Sequence, residues 1–322
     1  MMKKIRVLCL FLSAFLIPTA LFANSTILTA NSFFEIQQMI AYSKHPHHLL
    51  VVLDDDDTLT MEPCYPYSVG STPSTGCQYI GGPAWFSWQT SSTIQKKNLV
   101  WKTFPQLLEI NNFLFAASKM PLDDPEIPAA LQTAQEMGAH IIVASARGYS
   151  MSDATENQFS QDCISQCNSN DEISLLSIVE KNAIKTPTDH IDFPGYYFPT
   201  PWGKHAKPRR IAYIHGILYL SGQNKGVMLK QFLVKTNEIN LKTPALNKIT
   251  NIIFVDDTNQ NVIDVAQKFS DVPNVNVISV HYTRLAQHKA IFKTDKTLHR
   301  IAYKQWKNIE AAVKNNLPGS NF

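Results

Sequence analysis

The 322-residue sequence has no low-complexity tract, no internal repeat and no large excess of either charge. The absence of an internal repeat excludes repeat architectures. Lys and Arg number 29 against 26 Asp and Glu, a formal net charge of +3. Three of these cations, Lys3, Lys4 and Arg6, lie in a first segment, residues 1–23, that holds no acid, so the remainder of the chain has a net charge of 0, which is 3 minus 3. Nothing in this balance indicates a nucleic-acid-binding surface.

The sequence also lacks the run of about 20 apolar residues that a membrane-spanning helix needs. Its most apolar stretch, residues 7–22, is interrupted by Pro18 and follows the basic residues near the start. A charged segment, an apolar segment and a small residue at Ala23 are typical of a secretory signal peptide. We therefore predict that residues 1–23 are a signal peptide, that the protein is exported to the periplasm or secreted, and that the mature chain has no membrane span.

Cysteine is scarce, and no Cys-x-x-Cys pair occurs. Cys9 belongs to the predicted signal peptide, which leaves four cysteines. The missing tight pair argues against a structural zinc site. In an exported protein four cysteines favour disulfides, for which three connectivities exist. We expect the two local pairs, Cys64–Cys77 and Cys163–Cys167.

The most informative stretch is an apolar run, residues 49–53, that leads directly into four acids, residues 54–57. The run is typical of a strand that is buried on both faces. Four carboxylates cannot continue such a strand without partners or a metal ion. One alternative is an acidic turn in solvent. A calcium loop is rejected, because counting from Asp54 places Leu59 where the loop needs Gly and Tyr65 where it needs Glu.

Helical patterns alternate with further apolar runs along the chain, which indicates parallel βαβ winding. We therefore predict an α/β fold: a Rossmann-like parallel sheet with helices on both faces and the Asp54 strand near its centre. The predicted helices cover residues 32–43, 127–137, 173–181, 227–234 and 298–315. The predicted strands cover residues 49–53, 139–145, 211–220, 249–255 and 275–281.

Residues 61–120 interrupt this alternation. Proline and glycine dominate their first part, and a helical stretch over residues 95–118 follows, which Pro105 is expected to split. We predict a mainly helical cap here, inserted after the first strand into a core made of residues 24–60 and 121–322. The aromatic residues of the insertion either stack on a substrate or, as the better expectation, fill its own core: Tyr65, Tyr67, Tyr79, Trp85, Phe86 and Trp88.

Chemically useful residues follow several predicted strands. Asp54 and Asp56 follow the first strand, Ser145 ends the second, Lys225 opens a helix, and Asp256 and Asp257 end a later strand. Parallel winding brings such ends to one edge of a sheet, where ligands bind. Clustered carboxylates with room for water suit Mg2+, and a lysine beside a hydroxyl suits a phosphoryl group. A basic loop at Lys204, Lys207, Arg209 and Arg210 either captures an anionic substrate or is simply solvated.

The four segments that carry Asp54 and Asp56, Ser145, Lys225, and Asp256 and Asp257 resemble, in this order, the four motifs of the haloacid dehalogenase superfamily. The resemblance implies that Asp54 is a nucleophile that forms an aspartyl-phosphate, and that Asp56 protonates the leaving group and then activates water. It implies a Mg2+ site made of Asp54, the backbone carbonyl of Asp56 and Asp257, with Asp256 in contact through water. Ser145, Ala146 and Lys225 are then expected to bind the phosphoryl group.

The activity implied by this resemblance is Mg2+-dependent hydrolysis of a small phosphate monoester. An acidic residue at position 56 fits a phosphatase, since the carboxylate of Asp54 can attack while that of Asp56 donates a proton. One alternative is phosphotransfer from the same phospho-aspartate to an acceptor other than water. Another is a non-catalytic binding module of the same fold.

Overall fold

The computed structural model describes residues 25–64, 76–186, 190–193, 209–317 and 319. The predicted signal peptide lies outside these residues, as do Tyr65, Tyr67, Lys204 and Lys207. The strands are β1 (Ser25–Ala30), β2 (Leu49–Leu53), β3 (His140–Ser145), β4 (Cys163–Ser165), β5 (Ile173–Ser174), β6 (His190–Phe193), β7 (Ile211–Ile214), β8 (Ile217–Tyr219), β9 (Asn251–Asp256) and β10 (Asn276–Tyr282). The helices are α1 (Phe33–Ala41), α2 (Pro83–Thr90), α3 (Phe104–Ala117), α4 (Ile127–Glu136), α5 (Ser152–Gln161), α6 (Leu175–Asn182), α7 (Lys225–Lys235), α8 (Asn259–Phe269), α9 (Ala286–Thr294) and α10 (Lys296–Asn316).

Within the described ranges, eight strands form one sheet in the order β1-β10-β9-β2-β3-β8-β7-β6. The six strands from β1 to β8 in this order pair in parallel, with β2 between β9 and β3. The predicted α/β class and the central position of the Asp54 strand are confirmed. The prediction of a fully parallel sheet is wrong at one edge, where β6 and β7 pair antiparallel.

The antiparallel edge arises inside the apolar run that was predicted as one strand, residues 211–220. His215 and Gly216 both have positive φ, 49° and 82°, so the chain reverses there and forms the hairpin of β7 and β8. A Cβ on Gly216 would lie 2.8 Å from Val179 of α6, which adds a packing reason for glycine at this turn.

Helices cover both faces of the sheet. Alternate residues of β2 point to opposite sides, so each set packs against different helices. Leu49, Val51 and Leu53 pack in a core with residues of α1 and α4. Leu50 and Val52 pack in a second core with residues of α7 and α8. All five side chains are buried, each a contribution of about 1.5–3 kcal/mol to stability. Burial on both faces fixes the direction in which β2 delivers the acids that follow it.

Residues 76–120 form a third core together with α9 and α10, in which Trp85 and Trp306 are buried. Tyr79 and Trp88 also belong to this core, so these aromatic residues do fill a core, but it is shared with α9 and α10 and is not the insertion's own. The predicted helix over residues 95–118 is wrong in its first part. α3 begins at Phe104, after the cap residue Thr103, and Pro105 lies in its first turn, where a missing N–H costs nothing.

The four cysteines in the described part of the chain form the two expected local disulfides, Cys64–Cys77 and Cys163–Cys167. This pairing excludes the zinc alternative and belongs to an oxidising compartment. Among the described residues, no helix combines the length and the apolar character needed to cross a membrane. Sequence patterns did not reveal the edge strands β1 and β6, the helices α2, α5, α8 and α9, or the short hairpin of β4 and β5.

Candidate active site

A tight turn follows β2 and sorts the four acids into two pairs. The backbone carbonyl of Asp55 accepts hydrogen bonds from the N–H groups of Leu59 and Thr60, at 2.8 and 3.0 Å, and its side chain accepts one from the Thr60 hydroxyl. Asp57 has a positive φ of 62°. Asp54 and Asp56 line a cavity at the end of β2, whereas the side chains of Asp55 and Asp57 are buried beside the turn.

Lys225, the first residue of α7, joins two strand ends. Its Nζ lies 2.5 Å from Oδ1 of Asp54 and 2.7 Å from Oδ2 of Asp256. Burial alone would lower the pKa of Lys225, but the two carboxylates outweigh it and the pKa is raised. Burial and the neighbouring Asp256 raise the pKa of Asp54 well above its ordinary range, although Lys225 opposes them. The three groups therefore form one buried ion cluster.

The position of α7 explains how a lysine reaches these acids. Asn224 caps the helix, with its side chain accepting the N–H of Val227 at 2.9 Å. Gly226 then lets α7 pack directly on α8, because a Cβ there would lie 2.4 Å from the backbone oxygen of Asp264. This close contact, which no other residue type permits, holds the start of α7 against the sheet edge.

The two acids that follow β9 are held differently. Asp256 is fully buried and accepts hydrogen bonds from the side chain of Asn261, at 3.0 and 3.2 Å, and from the N–H of Thr258 at 2.8 Å. Asp257 forms an ion pair with Lys289 of α9. Both acids therefore have protein donors on both oxygens, since the second oxygen of Asp257 accepts a hydrogen bond from the Thr258 hydroxyl at 3.2 Å; they differ in burial, because Asp256 is fully buried and Asp257 is partly exposed.

One carboxylate oxygen from each of Asp54, Asp256 and Asp257 lies within 4.8 Å of the others. Such oxygens are the hard donors that small divalent cations prefer. Two ammonium groups, those of Lys225 and Lys289, contact these three carboxylates, so a negative charge remains for a cation to balance. The donor set therefore fits a divalent cation. The Asp56 side chain lies outside this cluster.

The side chain of Asp56 is bound instead by Arg147, two residues after β3. Arg147 donates from Nη2 and Nε to the two oxygens of Asp56, at 2.7 and 3.1 Å. Its Nε also lies 3.1 Å from Oδ2 of Asp55. The remaining Nη1 donates to Thr155 and Gln158 of α5. A two-pronged contact of this kind fixes the plane of the Asp56 carboxylate as well as its position.

Burial is the main cause of the raised pKa values of the acids around this turn. Burial raises the pKa of Asp55 to about 6, although Arg147 opposes the effect. Burial likewise raises the pKa of Asp57 to about 6, with Lys289 in opposition. Asp123 lies behind the turn, and Nε of Arg284 is 3.9 Å from its Oδ1. Burial and, to a lesser extent, the neighbouring Asp57 raise the pKa of Asp123 to about 8.

The predicted phosphoryl-binding residues of β3 separate in the structure. Ala146 lines the cavity with Asp54, Asp56 and Lys225. Ser145 is fully buried, does not line that cavity, and its hydroxyl accepts a hydrogen bond from the N–H of Arg147 at 3.2 Å. The hydroxyl therefore orients the loop that carries Arg147.

The cavity has a volume of about 510 Å³. The carboxylates and Lys225 form its floor, and residues 81–83, 86 and 87 of the predicted insertion form part of its wall. Phe86, Phe115 and Tyr149 make much of the wall apolar, while Arg209 and Arg210 add two cations. The sequence had singled out these two arginines as part of a basic loop.

Two residues of the site were missed by sequence reasoning. Arg147 stands two positions after the Ser145 that ended a predicted strand, so its place in the chain was a usable signal. Lys289 comes from α9, far along the chain from the acids it contacts. No local pattern around it indicated a role.

A family model described as "Protein of unknown function (DUF2608)" matches residues 29–317 of the chain. No curated protein and no solved structure matches it.

Proposed function

The chain belongs to the family described as Protein of unknown function (DUF2608), and we propose that it is a Mg2+-dependent phosphomonoester hydrolase of the haloacid dehalogenase type. The observation that supports this most is the convergence, in one cavity, of Asp54, Asp56 and Lys225 from two widely separated parts of the chain. A nucleophile, a second carboxylate and a cation at one sheet edge are the parts that phosphoryl transfer needs.

In the proposed reaction, an oxygen of Asp54 forms a bond to phosphorus while the bond from phosphorus to the ester oxygen breaks. Asp56 supplies the proton that the leaving oxygen takes. It then removes a proton from the water that cleaves the aspartyl-phosphate, which regenerates Asp54 and releases phosphate. Arg147 keeps the carboxylate of Asp56 in place through both steps, because it binds both oxygens.

Lys225 has two tasks in this scheme. It neutralises Asp54 and Asp256 before substrate arrives, and it balances charge on the phosphoryl oxygens during transfer. Asp54, the backbone carbonyl of Asp56 and Asp257 would hold Mg2+, which when bound offsets the negative charge of the phosphoryl group. Asp256 then serves to position Lys225, since it is fully buried and its Oδ2 lies 2.7 Å from Nζ of that lysine.

Residues 61–120 are proposed to act as a cap. Gly81, Gly82 and Phe86 belong to this segment and line the cavity above Asp54. A cap in this position excludes water from the attack on phosphorus and contacts the leaving group. The two disulfides and the basic and apolar start of the chain support export, and we propose the periplasm or the exterior as the place of action.

The proposal is tested by assaying the mature protein on a panel of phosphate monoesters with and without Mg2+. We expect turnover that requires Mg2+ and disappears in Asp54→Asn, which keeps the shape of the side chain but not the nucleophile. Lys304→Gln, an exposed change on α10 outside the described cavities, is the control. Ester product in the presence of an alcohol would indicate a transferase, and binding of phosphate esters without turnover would indicate a binding module.

A further inference from the structure

A second cavity of about 1040 Å³ adjoins the candidate active site. One of its walls comes from α2 and the segment that follows it, and the other from α9 and the start of α10. Pro83, Ser87, Asp257 and Thr258 line both cavities. A ligand anchored at the carboxylates can therefore extend across Asp257 into the second cavity.

The walls of this second cavity are strongly basic. Five cations line it, Lys97, Lys289, Lys293, Lys296 and Arg300, against a single carboxylate, that of Asp257. This contrasts with the balanced charge of the whole chain. A concave surface lined by several positive charges raises the local concentration of anions.

The cations are also available to a ligand. Lys289 is engaged with Asp257, but the other four form no ion pair with any residue that the structure describes. Lys97, Lys293, Lys296 and Arg300 are all exposed. Because exposed cations that are not paired with a carboxylate gain from binding an anion, the arrangement favours an anion with several charges.

Between the cations the wall contains a pair of stacked aromatic rings. The rings of Trp88 and His299 stack with centroids 4.4 Å apart and an interplanar angle of 12°. Burial lowers the pKa of His299, so this ring adds a polar surface without a lasting charge. Such a wall packs against a carbon skeleton and leaves its anionic groups to the surrounding lysines.

We infer that the basic cavity binds the non-reacting phosphate groups of a substrate that carries more than one phosphate. The phosphoryl group to be transferred lies at Asp54, and a second phosphate of the same small molecule lies among Lys97, Lys293 and Lys296. This inference rests on the proposed function for the identity of the reacting group. The basic cavity itself is independent of turnover, so binding tests it separately.

The test compares the variant Lys97→Gln/Lys293→Gln/Lys296→Gln with wild type and with the control Lys181→Gln/Lys242→Gln/Lys268→Gln. Both variants remove three exposed charges, and only the first set lines the basic cavity. The probe is inorganic tripolyphosphate, titrated by calorimetry without Mg2+. We expect the cavity variant to bind at least about tenfold more weakly, the control to bind like wild type, and wild-type affinity to fall with added salt.

Kinetics give the second readout, with the monophosphate and the bisphosphate of one alkanediol as substrates. We expect a wild-type preference in kcat/KM for the bisphosphate that the cavity variant loses, with the monophosphate rate unchanged in all three proteins. Equal tripolyphosphate affinity in the cavity variant and wild type would overturn the inference even if the enzyme is active. Weakened binding in a protein without phosphatase activity would uphold the cavity and refute the proposed function.

Discussion

Replacing Arg147 by methionine isolates the interaction that holds the acidic turn together. The methionine keeps an apolar chain against the ring of Phe115, over which the guanidinium lies 3.7 Å from the centroid. It removes the ion pairs to Asp55 and Asp56 and the hydrogen bonds to α5. The change therefore tests electrostatics more than packing.

The expected loss can be worked from burial. Asp55 is fully buried and Asp56 is partly exposed, with 16% of its side-chain surface in contact with solvent. Asp56 can turn to water, whereas Asp55 is left as an uncompensated buried carboxylate. Removing one partner of such a buried pair costs about 3–5 kcal/mol. Arg147→Lys should cost less, because it keeps the charge and loses only the two-pronged contact.

The assay is the free energy of unfolding in urea for Arg147→Met, Asp55→Asn and the double variant. We expect the double variant to recover more than half of the loss, because Asp55→Asn removes the uncompensated charge. Arg300→Met is the control, since Arg300 is exposed and forms no ion pair with a described residue, and its effect should stay within about 0.5 kcal/mol. Wild-type stability in Arg147→Met would refute this reasoning.

Three further outcomes are expected. Because the pKa of Asp123 is about 8 in the folded protein and about 4 when unfolded, its contribution to stability is lost as pH rises between these values. Asp123→Asn should therefore gain stability relative to wild type, by up to about 5 kcal/mol above pH 8 and by little near pH 4, and a pH-independent difference in urea midpoint would contradict this. Gly226→Ala should destabilise by about 1–3 kcal/mol in the same urea assay, since its Cβ would lie 2.4 Å from backbone of α8; Gly319→Ala, where nothing lies within 4 Å, should be neutral. Reducing Cys64–Cys77, which spans 13 residues, should cost up to about 3 kcal/mol, and an unchanged melting temperature after Cys64→Ser/Cys77→Ser would refute that estimate.

The inner strands of the parallel core, β2, β3, β9 and β10, were predictable because local composition alone specifies them. A run such as residues 49–53 is typical of a central strand, and the acids that follow it are then expected at the carboxyl end of that strand. The same reasoning located Asp256 and Asp257 at the end of β9. Short-range disulfides also followed from spacing and compartment.

What the sequence could not specify depends on contacts between distant segments. The chain reverses at His215 and Gly216 and so divides an apolar run whose composition is that of a single strand. This reversal depends on the close packing of Gly216 against α6, which is a contact between distant segments. Lys289 reaches Asp257 only because α9 packs beside the sheet edge. The pairing of Asp56 with Arg147 likewise joins residues 91 positions apart.

The most direct test of the central claim is to trap phosphate on Asp54. Asp56→Asn should still allow attack on p-nitrophenyl phosphate, whose leaving group needs no proton, but should slow hydrolysis of the aspartyl-phosphate by about 10²–10⁴-fold. Mass spectrometry of the acid-quenched protein should then show one added phosphoryl group on the peptide that contains Asp54, and none in Asp54→Asn/Asp56→Asn. Turnover by Asp54→Asn at the wild-type rate, or a phosphoryl group on another residue, would contradict the account.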